Sequence, residues 1–194
     1  MKVSLGPLTL ILLFLASNVS HQAQSRSQSL PTVALIVDRE ISRIEELIVD
    51  VAEAMPEDKY NFSPEALNIA GSDYKGVFSF AAQIKHVAAS NYFLFSSVTG
   101  DKVRAKIFND GKGPDDLKIK ADILKFLKDS FALGHRAAST LTVENMLQSP
   151  AGGKSARLHV AEFGIAESYN HYGQMVEYLR MNGIVPPASR KKSD

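Results

Sequence analysis

Apolar residues return at three- and four-residue intervals in four separate stretches of the chain. The first holds Ile41, Ile44, Ile48, Val51, Ala52 and Met55, and this spacing predicts an amphipathic helix. Thr32 is placed to cap it, and Pro56 stops it. The second helix is expected from about Tyr74 to Ser97, with Phe78, Ala82, Lys85/His86, Ala89 and Phe93 along one strip. The third is expected from Asp115 or Asp116 to about Thr140, with Ile119, Ile123, Leu127, Phe131 and Gly134 as its apolar strip. Acidic residues at its start suit the positive end of a helix dipole. The fourth runs from about Ser155 to Met181, and Gly183 ends it. Its buried side is read as Val160, Phe163, Ala166, Glu167, Asn170, His171, Gln174, Met175, Tyr178 and Leu179.

Two connections are long. Pro56–Gly71 carries Tyr60, Phe62 and Pro64, which are placed to pin it to the helices. The other includes Asn109-Asp110-Gly111-Lys112-Gly113-Pro114, a run of turn formers that reads as an exposed loop and could form part of a lid. Val103–Phe108 is the single candidate strand and is also read as loop. Four amphipathic helices without strand alternation predict an all-α protein, a four-helix bundle with long connections.

The N-terminus departs from this pattern. Lys2 precedes an apolar run, Leu5 to Leu15, followed by small and polar residues through Ala23-Gln24-Ser25. This is the layout of a secretory signal over 1–25, with cleavage expected after Ser25 or, second, after Ala23. The run is short of the ~20 residues that a spanning helix needs. The protein is therefore expected to be secreted or periplasmic, free of the membrane once cleaved. Its folded part is expected over 32–188, followed by a basic tail, 189–194.

Composition narrows the chemistry. The chain has no cysteine, so any metal must be held by His, Asp or Glu. The formal charge is +1, and losing Lys2 takes it to zero, which gives no concentrated basic surface for a nucleic acid.

Glu167 and His171 lie four residues apart, one above the other on a helical face. A carboxylate on an apolar face is costly unless it is paired or binds a cation. A salt-bridged Glu and hydrogen-bonded core histidines are the simpler account. With His86, however, the set becomes two imidazoles and one carboxylate, a ligand set that leaves positions open for water or substrate. His159 is twelve residues before His171, roughly 18 Å along one helix, too far to share an ion with it. His135 falls near the third helix's apolar strip and reads as a packing residue. Gln174, one turn beyond His171, is placed to orient it, and Asn170 and Tyr172 to line the rim.

Three segments resemble the DinB/YfiT-like family. Ala54-Met55-Pro56-Glu57-Asp58-Lys59-Tyr60-Asn61-Phe62-Ser63-Pro64 resembles its first helix end and loop. His86-Val87-Ala88-Ala89-Ser90-Asn91-Tyr92-Phe93 resembles its second-helix ligand segment. The run from His171 to Pro187 closely resembles the end of its last helix. The resemblance covers roughly 33–188 and implies an antiparallel four-helix bundle with a long second crossover, commonly a homodimer. It also implies a metal site of three histidines, of which His86 and His171 match the first and last, while Glu167 replaces the middle one. The expected ion is divalent: zinc, iron, nickel or manganese. The chemistry so implied is metal-dependent transfer to or from a thiol, or hydrolysis, on a small molecule. The alternative is a non-catalytic bundle with a degenerate site that binds a small molecule or partner.

Overall fold

The computed structural model describes residues 30–150 and 153–191. The expected signal over 1–25 and residues 192–194 of the tail lie outside them. Among the described residues there is no strand, and four long helices make up the body: α1 (Val33–Ala54), α2 (Phe80–Thr99), α4 (Lys120–Ser139) and α5 (Arg157–Met181). A short helix, α3 (Ala105–Phe108), followed by a 3-10 turn at Asn109–Gly111, lies in the crossover between α2 and α4. None of these is long and apolar enough to cross a membrane.

The α1 periodicity translates directly into burial. Ile41, Ile44 and Ile48 are wholly buried, each aliphatic side chain contributing about 1.5–3 kcal/mol. The Thr32 hydroxyl accepts from the Leu35 N–H at 3.2 Å and caps the helix as expected. At the far end, the Lys120 ammonium donates to the carbonyls of Glu53 and Met55, both at 2.7 Å, satisfying acceptors that a helix end leaves unpaired.

α1 and α2 each pack between α4 and α5. The cross-helix contacts give the directions. Asp38 and Glu45 of α1 reach His135 of α4, while Glu53 reaches Lys128, so these two helices run oppositely. α2 and α5 also run oppositely, since Gln83 meets His171 and Asn91 meets Ser168. α2 and α4 run the same way: Asn91 bonds Ser130, and Phe95 lies against Gly134. A parallel pair needs a crossover long enough to travel back along the bundle, and residues 100–119 provide it.

Several boundaries and faces differ from the sequence expectation. α2 starts at Phe80, capped by Ser79, because Gly76 with φ of 76° turns the preceding chain away from a helix. α4 starts at Lys120 rather than at Asp115 or Asp116; its first N–H lies 3.3 Å from Glu57 Oε1. Val103–Phe108 contains the helical turn α3, stacked through Phe108 on Phe93 with ring centroids 4.7 Å apart. Phe93 and Phe163 are about half exposed, at 47% and 51%. The buried strip in the first half of α5 is instead Ala161, Gly164 and Ser168.

Small residues there let α5 approach α2 closely. The buried Phe95 ring sits between Gly134 and Gly164, and an added Cβ would lie 2.8 Å from it at the first and 3.2 Å at the second. Deeper in the same seam Asn91 bonds Ser130 at 3.2 Å and Ser168 at 3.3 Å, three buried polar side chains that satisfy one another.

The first long connection is pinned as expected. Tyr60 is buried and its hydroxyl donates to the Ala52 carbonyl at 2.6 Å, while the Phe62 ring meets Tyr178 edge-on at 5.8 Å. Residues 185–190 after α5 are also held: Arg180 donates to the Ser189 hydroxyl and Arg190 to the Val185 carbonyl, both at 3.2 Å.

Candidate metal centre

α2 contributes His86 and α5 contributes Glu167 and His171, and the antiparallel packing of the two helices brings the three together. Glu167 Oε1 lies 3.0 Å from His86 Nε2 and 3.1 Å from His171 Nε2. The two imidazole rings are tilted against each other with centroids 4.6 Å apart. Donor atoms bonded to one ion at about 2.0–2.2 Å, and adjacent around it, are separated by about 3.0–3.4 Å. The distances about Glu167 Oε1 fit that spacing. His171 is buried, whereas His86 and Glu167 are about one-fifth and one-quarter exposed, at 21% and 24%.

The other ring nitrogens are also held. His86 Nδ1 is 2.7 Å from the Gly111 carbonyl. A carbonyl can only accept, so the proton of a neutral His86 sits on Nδ1 and its Nε2 presents a lone pair. Gly111 reaches this position through a left-handed turn in which Asn109, Asp110 and Gly111 have φ of 44°, 53° and 78°. Asn109 secures the turn by donating to the Gly113 carbonyl at 2.7 Å. A side chain at Gly111 would be strained by the φ of 78°, and its Cβ would rest in contact with the His86 ring, 3.4 Å from Nδ1.

His171 Nδ1 meets the side-chain oxygen of the buried Gln83. Gln83 Nε2 in turn donates to Gln174 Oε1 at 2.9 Å, and Gln174 Nε2 donates toward the Asn170 carbonyl at 3.4 Å. The chain of amides ends on a backbone acceptor, and oxygen toward His171 is the orientation consistent with all three contacts. Gln83 therefore presents oxygen to His171, and the His171 proton also sits on Nδ1. Turning both amides over would set the Gln174 oxygen against the Asn170 carbonyl.

Electrostatics follow the same geometry. Burial pushes the His171 imidazolium pKa down, and the nearby His86 pushes it further. Burial alone would raise the Glu167 carboxyl, but the two imidazoles outweigh it and hold that pKa below the ordinary carboxylate value. Each Nε2 thus faces the Glu167 carboxylate, while each Nδ1 faces an oxygen acceptor.

The chain matches the DinB superfamily over residues 40–175, a span that contains His86, Glu167 and His171. The chain belongs to the DinB superfamily. It matches none of the curated proteins. For this DinB chain the expectation about Gln174 needs correction: Gln83 touches His171 directly, and Gln174 acts one step behind it. Asn170 contributes its backbone carbonyl, and Tyr172 packs against the hydrophobic core. His135 is elsewhere, its two ring nitrogens bonded to Asp38 at 2.7 Å and Glu45 at 2.8 Å. Those bonds point in opposite directions from one ring, so that trio bridges α1 and α4 and cannot surround one ion. His159 is exposed and lies beside Phe163.

Sequence reasoning missed Gln83 and the Gly111 carbonyl. The signal for Gln83 was its place three residues before His86, on nearly the same face of α2. The Asn109-Asp110-Gly111 turn was recognised, but nothing local said which side chain its carbonyl would meet.

Proposed function

We propose that the protein is an exported metal-binding member of the DinB superfamily. In this reading His86 Nε2, Glu167 Oε1 and His171 Nε2 hold one divalent ion, and the centre performs thiol transfer or hydrolysis on a small molecule. The observation that carries the metal reading is the polarity of the hydrogen bonds. Both Nδ1 atoms face oxygen acceptors, and the tautomer that satisfies them turns the Nε2 lone pairs of neutral rings toward Glu167 Oε1. That arrangement is repulsive unless a cation sits among them.

His86, Glu167 and His171 would hold the ion, which would supply Lewis acidity to lower the pKa of a thiol or water near neutral pH. The protein's part is to keep both imidazoles in one tautomer through Gly111 and Gln83 and to supply one negative charge through Glu167. The Ser90 hydroxyl, 3.5 Å from His86 Nε2, adds a polar group beside the cluster. Zinc and ferrous iron both accept two histidines and a carboxylate, and nickel or manganese are further candidates. Export rests on the charge and hydropathy pattern of residues 1–25, and a homodimer on the family resemblance.

Elemental analysis of untagged protein tests the reading. The expected content is about one divalent ion per chain, lost in His171→Ala and in His86→Ala while both variants keep their helical circular dichroism. Untagged wild-type protein that stays metal-free after incubation with zinc, iron, nickel and manganese would refute it and leave a non-catalytic bundle.

A further inference from the structure

Beside the metal cluster, on the far side of His171 from Glu167, lies a cavity of about 480 Å³ between residues 64–78 and the last turns of α5. This is within the range of about 300–1,000 Å³ typical of pockets that bury most of a small molecule. Tyr74, Val77, Phe78, Tyr178 and Met181 line it, with the buried Gln83 and His171 at its floor and Gln174 exposed beside them. Val77 and Met181 stay more than one-third exposed, at 38% and 37%, so apolar surface faces the opening.

The polar groups of this lining are largely engaged within the protein. Gln83 is bonded to His171 and Gln174, and the Tyr178 hydroxyl donates to the Phe78 carbonyl at 2.9 Å. Among the described lining residues the one charged side chain at neutral pH is Glu177. Its neighbour Arg180, 3.8 Å away, is about half exposed and is not part of the lining. Recognition here falls to aromatic faces and apolar contact, and a carboxylate at the edge works against an anion. The cavity also abuts the cluster at two points: His171 is in its floor, and the Phe78 ring lies 5.5 Å from the His86 ring.

We propose that this cavity binds the uncharged aromatic body of the substrate on which the metal centre acts. The inference rests on the metal reading and adds the class of molecule and the residues that receive it. A substrate seated there would press on the Gln83–Gln174 pair that orients His171, so binding and the ligand's posture are linked.

A matched pair of fluorescent probes tests this. N-phenyl-1-naphthylamine is uncharged, and 8-anilinonaphthalene-1-sulfonate has the same ring system with one added sulfonate. Zinc-loaded wild-type protein is expected to bind the uncharged probe at least ~10-fold more tightly, a difference of about 1.4 kcal/mol. Met181→Trp, at the partly exposed edge, is expected to weaken that probe at least ~5-fold by filling the cavity, with zinc content unchanged. Val77→Lys is expected to shift the preference toward the sulfonate.

No binding of the uncharged probe, equal affinity for the two, or indifference to both substitutions overturns the proposal. A change in sedimentation with Met181→Trp and no probe binding overturns it too, in favour of a self-association face. Zinc content measured on the same samples separates the two readings. Zinc bound without the probe removes this inference alone. Probe bound to a chain that takes no zinc refutes the metal reading, and with it the assignment of the cavity to a substrate.

Discussion

Gln83→Leu is the sharpest probe of how the centre is held. Gln83 is buried, and its oxygen is the acceptor for the His171 Nδ1 proton. Leucine keeps the bulk and removes the acceptor. Two effects follow. The buried N–H loses its partner, which costs about 1–3 kcal/mol of folding stability. His171 also loses what fixes its tautomer, and with the proton on Nε2 it cannot ligate. Loss of such an outer partner typically lowers metal affinity about 10–100-fold, or about 1.4–2.7 kcal/mol. Gln83→Glu keeps an acceptor and makes it anionic, so its affinity for zinc is expected to match or exceed that of the wild type. Gln174→Ala, one step removed, is expected to fall between the wild type and Gln83→Leu. The assay is competition for zinc against a chromophoric chelator at fixed pH, with urea melts of the metal-free proteins run alongside. If Gln83→Leu stays folded and binds zinc within about threefold of wild type, Gln83 does not position His171. If leucine and glutamate weaken binding equally, bulk matters and the hydrogen bond does not.

Two further predictions concern the frame. Burial opposes charging of His135, but hydrogen bonds to Glu45 and Asp38 outweigh it and raise the imidazolium pKa above the ordinary 6.5. Its stabilisation is therefore full below about pH 6.5 and is lost as pH rises through the raised value, so the stability gap between wild type and His135→Gln is expected to shrink from pH 6 to pH 8.5 in urea melts. A constant gap would show that His135 acts by packing alone. Alanine at three helical glycines should split by space: Gly173, with no atom within 4 Å of an added Cβ, gains about 1 kcal/mol from helix propensity. At Gly164 the 3.2 Å contact roughly cancels that gain, and at Gly134 the 2.8 Å contact with the buried Phe95 ring leaves a net loss of about 1–2 kcal/mol. The same melts check the order, and Gly134→Ala as stable as Gly173→Ala would contradict the packing described for Phe95.

The sequence was most readable where burial is carried by large apolar side chains. The isoleucines of α1 give its face without help from the rest of the fold. α5 was harder because its contact with α2 is made by small residues. Ala161, Gly164 and Ser168 mark the close approach, and a hydrophobicity pattern passes over them in favour of Phe163, which the structure leaves about half exposed. The metal candidates were legible because two of them share a helix turn and the third matched a family segment. The groups behind them were not. Gln83 is one amide among many until α5 is packed against it, and Gly111 contributes only a carbonyl, which every residue has. Outer partners of this kind become visible only when the long-range geometry is known.

That geometry bears on the glutamate that departs from the three-histidine pattern. In a salt-bridged relic of a metal site, both imidazoles would donate from Nε2 to Glu167, and each Nδ1 would then need either a donor opposite it or a second proton. Neither Nδ1 faces a donor: Gly111 presents a carbonyl to His86, and Gln83 presents its side-chain oxygen to His171. A second proton on both rings would put two cations against each other with ring centroids 4.6 Å apart, and burial already opposes charge on His171. A divalent ion at the proposed site would satisfy all three lone pairs at once. With Glu167 the filled site has a net charge of about +1 instead of the +2 that three histidines would leave, which lowers the cost of enclosing it in a partly buried seam. In the proposed centre the carboxylate would make the site less positive and add a harder oxygen ligand.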